Sequence, residues 1–256
     1  MHSALSYPTP FHPPACWQPL QLTGVLSGNT PATSVQGKPL QAWRIHPNAP
    51  VELFIMGATH GDEPESAWLV QQWMQQWDSI TDSVQGVIAI PCFNPDGLAL
   101  NTRQNANKVD LNRNFPTTNW GQATDIVEKE LGHPYYGGPH PASEPETQWL
   151  IQLLQEHPPK AILSVHTPYK VVNWDGPPKT EQLADALGSA TGYPVTHDIG
   201  YPTPGSFGTY IGIEGVGMEG TIPVITLELP EEPEAILWKD NHTLPHVCLQ
   251  WIKDNS

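Results

Sequence analysis

Short runs of apolar and β-branched residues recur at 40–45, 51–58, 86–92, 161–165 and 223–229, each of strand length. The segments between them change period. Pro64 to Trp77 sets Trp68, Leu69, Trp73 and Trp77 at spacings near three and four, with proline in the first turn, which predicts a helix laying its tryptophans on a sheet. Ser143-Glu-Pro-Glu146 reads as a capping box opening a helix over Thr147 to Gln155. Thr180 to Thr191 predicts a third helix, stopped by Gly192, and Lys239 to Lys253 a fourth. Strands alternating with helices predict an α/β fold whose sheet is covered by helices on both faces.

At 256 residues the chain suits one α/β domain, or at most two small ones. Residues 1–35 are rich in Pro, Ser, Thr and Gly and read as an extended arm before a single domain over 36–256. A net charge of −15 does not imply an acidic disordered chain, because 38% of residues are hydrophobic and only 14% charged. It does argue against nucleic acid or anionic membrane as partner, since the eleven basic residues form no block. Cys16, Cys92 and Cys248 are odd in number and far apart, so no disulfide framework is expected. The N-terminus lacks the basic and apolar regions of a secretory signal, and no apolar run approaches the ~20 residues of a membrane span. The expectation is a cytoplasmic protein.

Chemistry gathers at the ends of the predicted strands. His60-Gly-Asp-Glu63 closes the run from Leu53 to Thr59, His166 ends Ala161-Ile-Leu-Ser-Val, and Glu228 lies in Val224-Ile-Thr-Leu-Glu-Leu. Ligand crevices of open α/β sheets lie outside the strands' carboxyl ends. Two imidazoles and one carboxylate, His60, His166 and Glu63, form a ligand set for a catalytic zinc that leaves a position for water. Glu228 in an apolar strand reads as a general base with a pKa lifted by burial, and alternation puts Thr226 on its face. Asn94-Pro-Asp-Gly97 reads as a turn used for chain reversal. His133, His140, His157, His197, His242 and His246 have no partner at ligand spacing. Of three arginines, Arg44 reads as structural; Arg103 and Arg113, beside Asp110-Leu-Asn112, hold either a carboxylate, an oxyanion or a structural ion pair.

His60-x-x-Glu63, Asn94-Pro-Asp-Gly97, Arg103, Asp110-x-Asn112-Arg113-Asn-Phe115, His166 and Leu-Glu228-Leu together resemble the zinc carboxypeptidase (carboxypeptidase A-like) family, in family order over roughly residues 38 to 230. Thr59-His-Gly-Asp-Glu63, Arg103 to Pro116, Ser143-Glu-Pro-Glu-Thr147 and Gly200 to Gly208 are similar to its bacterial branch that acts on murein peptides in the cytoplasm. The resemblance implies a single-domain carboxypeptidase-like fold with a mixed central sheet. It implies one zinc per chain on His60, Glu63 and His166, with Glu228 as base. It gives Arg103 the carbonyl and its oxyanion, and Asn112 and Arg113 the carboxylate of the leaving amino acid; Tyr201 lies near the place of a mobile substrate-side tyrosine. The substrate so implied is a murein tripeptide cut between γ-D-Glu and meso-diaminopimelate, whose ammonium calls for an acidic residue such as Asp175 or Glu219. The rival readings are a zinc carboxypeptidase of other peptides, an N-acyl amino acid deacylase, and a zinc-dependent peptide-binding protein without catalysis. Retention of Glu228 and Arg103 speaks against the last. Oligomeric state is open.

Overall fold

All six residues of the strand Val51–Met56 are buried, and they divide by parity. Leu53 and Ile55 join a core with Trp73, Leu183 and Leu249, whereas Phe54 and Met56 join another with Trp149, Leu150 and Phe207. Successive side chains of a strand point to opposite faces, so an unbroken apolar strand needs cover on both. The computed structural model, which describes residues 11–20, 22, 32–81, 83–121, 135–215 and 220–256, provides it.

The strands are β1 (Gln18–Leu20), β2 (Ala42–Ile45), β3 (Val51–Met56), β4 (Gly86–Ile90), β5 (Ala161–His166), β6 (Tyr169–Asp175), β7 (Val195–Thr196) and β8 (Val224–Pro230). They form one mixed sheet in the order β1-β2-β4-β3-β5-β8-β6-β7, parallel through β4, β3, β5 and β8 and antiparallel on either side of that block. The helices are α1 (Pro64–Gln75), α2 (Trp77–Ile80), α3 (Pro95–Leu100), α4 (Pro145–Glu156), α5 (Thr180–Thr191), α6 (Glu234–Asn241) and α7 (Leu244–Asp254). Residues of α1, α5, α6 and α7 pack on one face of the sheet, and residues of α4 on the other. This is the single-domain α/β fold expected. No helix among the described residues is long and apolar enough to cross a membrane.

Several local expectations change. Ser143 does not cap α4: Glu144 stands at the N-cap without a side-chain bond, and Ser143 Oγ donates to the Glu144 carboxylate at 2.7 Å. The amides of buried Asn105 and exposed Asn107 take the other Glu144 oxygen, so tertiary hydrogen bonds replace the local box. The expected fourth helix is two, because Pro245, near the start of α7, lacks the N–H to continue a helix through it. Asn94-Pro-Asp-Gly97 reverses the chain by starting α3, with Asn94 Oδ1 accepting from Gly97 N at 2.8 Å. β6 is not among the expected strands: in Tyr169-Lys-Val-Val-Asn-Trp-Asp175 the polar residues leave only a short apolar run. Within residues 1–35, β1 pairs with β2, and Trp17 is buried with Nε1 donating to Met74 O at 3.1 Å.

Candidate metal centre and active-site cleft

Parallel pairing of β3, β5 and β8 brings three strand ends to one edge of the sheet. The chain passes to β4 on one side of β3 and later to β5 on the other, the strand-order reversal at which open sheets place ligands. His60 follows β3, His166 closes β5, and Glu228 is the direct register partner of His166 on β8. The loop after β3 is held tightly. Ser66 Oγ donates to Glu63 O at 2.6 Å and accepts from Ala58 N, and Asn94 Nδ2 spans Thr59 O and Arg103 O, both at 3.3 Å. Gly61 crosses the Gly97 backbone so closely that a Cβ would lie 1.8 Å from Gly97 C. Only glycine fits there.

The three expected ligands meet. Nδ1 of His60 lies 2.5 Å from one Glu63 oxygen and Nδ1 of His166 lies 3.0 Å from the other. All three side chains are buried, with one ligand atom from each within 4.8 Å of the others, and no other such group occurs among the described residues. The far nitrogen of His60 meets Asp110 Oδ1 at 3.1 Å, the carboxylate–histidine pairing that orients a metal-bound imidazole. The sequence assigns Asp110 no role of its own, although its signal is the first position of Asp110-x-Asn112-Arg113. Burial and Arg103 depress the His60 pKa, yet Glu63 and Asp110 outweigh them and lift it to about 9. An imidazole that attracts a proton so strongly sits where positive charge is favoured. The donor set fits zinc.

One cleft of about 370 Å³ is lined by His60, Glu63, Arg103, Asn112, Arg113, His166, Tyr201 and Glu228, all eight of the residues expected from the sequence. Glu228 is buried, and one of its oxygens has no hydrogen-bond partner among the described residues. Burial raises its pKa above the ordinary carboxylate value; the Glu63 charge adds to this while His166 and His60 oppose it. Arg103 Nε donates to Asp110 Oδ2 at 3.0 Å, and Arg44 instead bonds the Ala49 carbonyl, a structural use.

Asn112 Oδ1 accepts from Phe207 N at 2.9 Å, which fixes the amide and leaves its N–H₂ for the cleft. Arg113 is 1% exposed, yet among the described residues no carboxylate forms an ion pair with it. Its Nη1 donates to Asn112 O at 2.7 Å and its Nε has no partner among the described residues. A buried guanidinium so weakly compensated is poised for an anion. Tyr201 faces Tyr169 across 6.4 Å between ring centroids; burial moves its pKa up to about 12, against the pull of Arg113. Asp175, at the end of β6, also lines the cleft; Glu219 lies outside the described residues.

The Zinc carboxypeptidase family matches residues 25–191. Murein peptide amidase A of Escherichia coli (strain K12) is 36% identical over 183 residues, 69% of this chain and 73% of that protein. The crystal structure of a murein-tripeptide amidase from Escherichia coli O157 superposes with a TM-score of 0.65 at 28% identity, covering 86% of this chain and 90% of that one. Bovine thrombin-activatable fibrinolysis inhibitor shares the fold with a TM-score of 0.72 at 18% identity, over 94% of this chain and 90% of that one. A buried His-Glu-His donor set at the strand ends, inside the matched segment, is what a zinc-dependent hydrolase requires, and the chain belongs to the zinc carboxypeptidase family.

Proposed function

We propose that the protein is a zinc amidase of the murein peptide amidase A type, hydrolysing the γ-D-Glu–meso-diaminopimelate bond of murein peptides in the cytoplasm during cell-wall peptide recycling. The relatives' names support the substrate class. The observation that carries the reading is Asp175. Its carboxylate faces the cleft, takes no hydrogen bond from a described residue, and rests against Gly208, where a Cβ would come within 2.1 Å of Oδ2. Buried Arg113 and unpartnered Asp175 in one cleft suit a leaving amino acid that has a carboxylate beside its amine and an ammonium on its side chain. Diaminopimelate has both.

His60, Glu63 and His166 would hold the zinc, which would supply Lewis acidity toward water and the amide carbonyl. Glu228 accepts the proton of the attacking water and returns one to the departing amine, a role suited to its raised pKa. Arg103, held charged by Asp110 and Glu63 against burial, meets the developing oxyanion with little reorganisation. Arg113 and the Asn112 amide grip the carboxylate beside that amine, and Tyr201 flanks the substrate from the 197–203 side of the cleft.

The test is release of diaminopimelate from L-Ala-γ-D-Glu-meso-diaminopimelate, expected with the zinc protein and abolished by chelator. The same tripeptide ending in lysine decides the second reading that Asp175 favours, a carboxypeptidase for basic C-terminal residues. Equal hydrolysis of the two would support that reading, and cleavage of neither would sink both.

A further inference from the structure

Arg103 and Arg113 share one aromatic neighbour. The guanidinium carbon of Arg103 lies 4.7 Å from the ring centroid of Tyr135, and that of Arg113 lies 5.7 Å from the same centroid. We propose that Tyr135 is a positioning residue, a common π platform that holds both arginines toward the cleft without occupying the donors they present to substrate. This rests on the roles given to the two arginines above.

The chemistry favours a ring at this place. Arg103 already has Asp110 as an ion-pair partner; Arg113 feels the Asp110 charge, opposed by that of Arg103, but forms no ion pair with any described carboxylate. A second carboxylate here would neutralise Arg113 and compete with the incoming carboxylate. An aromatic face attracts a guanidinium through its quadrupole and leaves the N–H groups free. One ring within reach of two like charges serves both.

The backbone next to the platform is tied to the segment that carries Arg113. Asp110 N donates to Tyr136 O at 2.8 Å, and Asn114 Nδ2 donates to Gly137 O at 2.7 Å. Gly137 passes so close to Arg113 that a Cβ would lie 2.5 Å from its carbonyl oxygen. The backbone beside Tyr135 is therefore registered to residues 110–114. Nothing in the local sequence announces this, since Tyr135 stands outside every periodic segment.

The experiment compares the zinc-loaded full chain with Tyr135→Phe and Tyr135→Leu. The substrates are the free-acid tripeptide and its analogue with the carboxylate beside the departing amine made a carboxamide. Tyr135→Leu should raise KM for the free acid by about 5- to 30-fold and also lower kcat, while Tyr135→Phe stays within about threefold. On the carboxamide the KM penalty should vanish and the kcat loss persist, because only the Arg103 contribution then remains. In case Tyr135→Leu disturbs folding, a double-mutant cycle with Arg113→Lys isolates the coupling, and non-additive effects are expected. Wild-type kinetics in Tyr135→Leu, equal losses in the Phe and Leu variants, or additivity in the cycle would each overturn the platform. If the wild-type protein leaves the tripeptide intact, the proposed function fails. The same comparison is then made on whichever C-terminal peptide the enzyme cleaves, since Arg113 serves any free carboxylate.

Discussion

Asp175→Asn should make the protein more stable and a worse enzyme, and the size of the first effect follows from the structure. Asp175 is partly buried, takes no hydrogen bond from a described residue, and has only the charge of His197 to oppose its burial. Burial, opposed by His197, raises its pKa from 3.8 to about 6. At 1.36 kcal/mol per unit that corresponds to about 3 kcal/mol, and partial solvent exposure reduces it to roughly 1.5 kcal/mol. The unfolded chain loses this proton near pH 4 and the folded chain near pH 6, so between the two the unfolded state binds fewer protons. Stability therefore falls as pH rises through that window, and the full cost is present above about pH 6.

Asparagine is neutral throughout. Thermal melts of the zinc-loaded proteins should show Tm higher by about 3–6 °C in the variant at pH 7.5, and by about half as much at pH 5. KM for a substrate with a side-chain ammonium should rise, with little change for a neutral side chain. A lower Tm in the variant at pH 7.5, or a gain independent of pH, would show that Asp175 is satisfied in the native state and is not held ready for a cation.

Other outcomes follow from the same geometry. His166→Ala should lose most of its zinc by metal analysis, and full occupancy would remove His166 from the ligand set. Glu228→Gln should keep its zinc and lose about 10²- to 10⁴-fold in turnover, with wild-type turnover assigning the proton transfer elsewhere. Measured on a substrate with a neutral side chain, the acid limb of kcat/KM should lie above the ordinary carboxylate range of about 4.3 and disappear in that variant; a limb within that range would contradict the burial of Glu228. Arg113→Lys should cost roughly 10- to 150-fold in efficiency on the free acid and nothing further on the carboxamide, and equal losses on both would mark Arg113 as structural.

The strand-end chemistry was legible because it rides on strong local patterns. An apolar run that stops at His60, another that stops at His166, and a carboxylate inside a third are visible without knowing the strand order. What the sequence withheld is pairing. The adjacency of His166 and Glu228 depends on β5 lying against β8, a contact between residues about sixty positions apart that no local period encodes. β6 was lost for a different reason. It alternates weakly because Asn173 and Asp175 are polar residues facing a cleft, so the functional pocket erased the signal that would have revealed its wall. The capping box at 143–146 failed because Glu144 and Glu146, both buried, are claimed by Asn105 and by the backbone of Val35. Tertiary hydrogen bonds outbid a local motif there.

The anionic peptide of the proposed function contradicts a net charge of −15 only until distance is considered. Surface carboxylates act through water and salt, and their influence fades beyond about 8–10 Å. Arg113 is buried within the cleft wall, and Arg103 is 20% exposed beside it, so a carboxylate entering the cleft meets them at contact range where screening is weak. The two arginines and the metal thus set the sign of the potential at one end, and Asp175 reverses it at another point of the same cleft. A substrate with charges of both signs in matching positions gains at each. A purely anionic competitor meets Asp175, and a purely cationic one meets Arg113 buried without a counter-ion. Selectivity for a zwitterionic leaving group, as the proposed function requires, therefore needs no favourable net charge on the protein, only the buried Arg113 and the partly buried Asp175 in one cleft, neither paired with an opposite charge among the described residues.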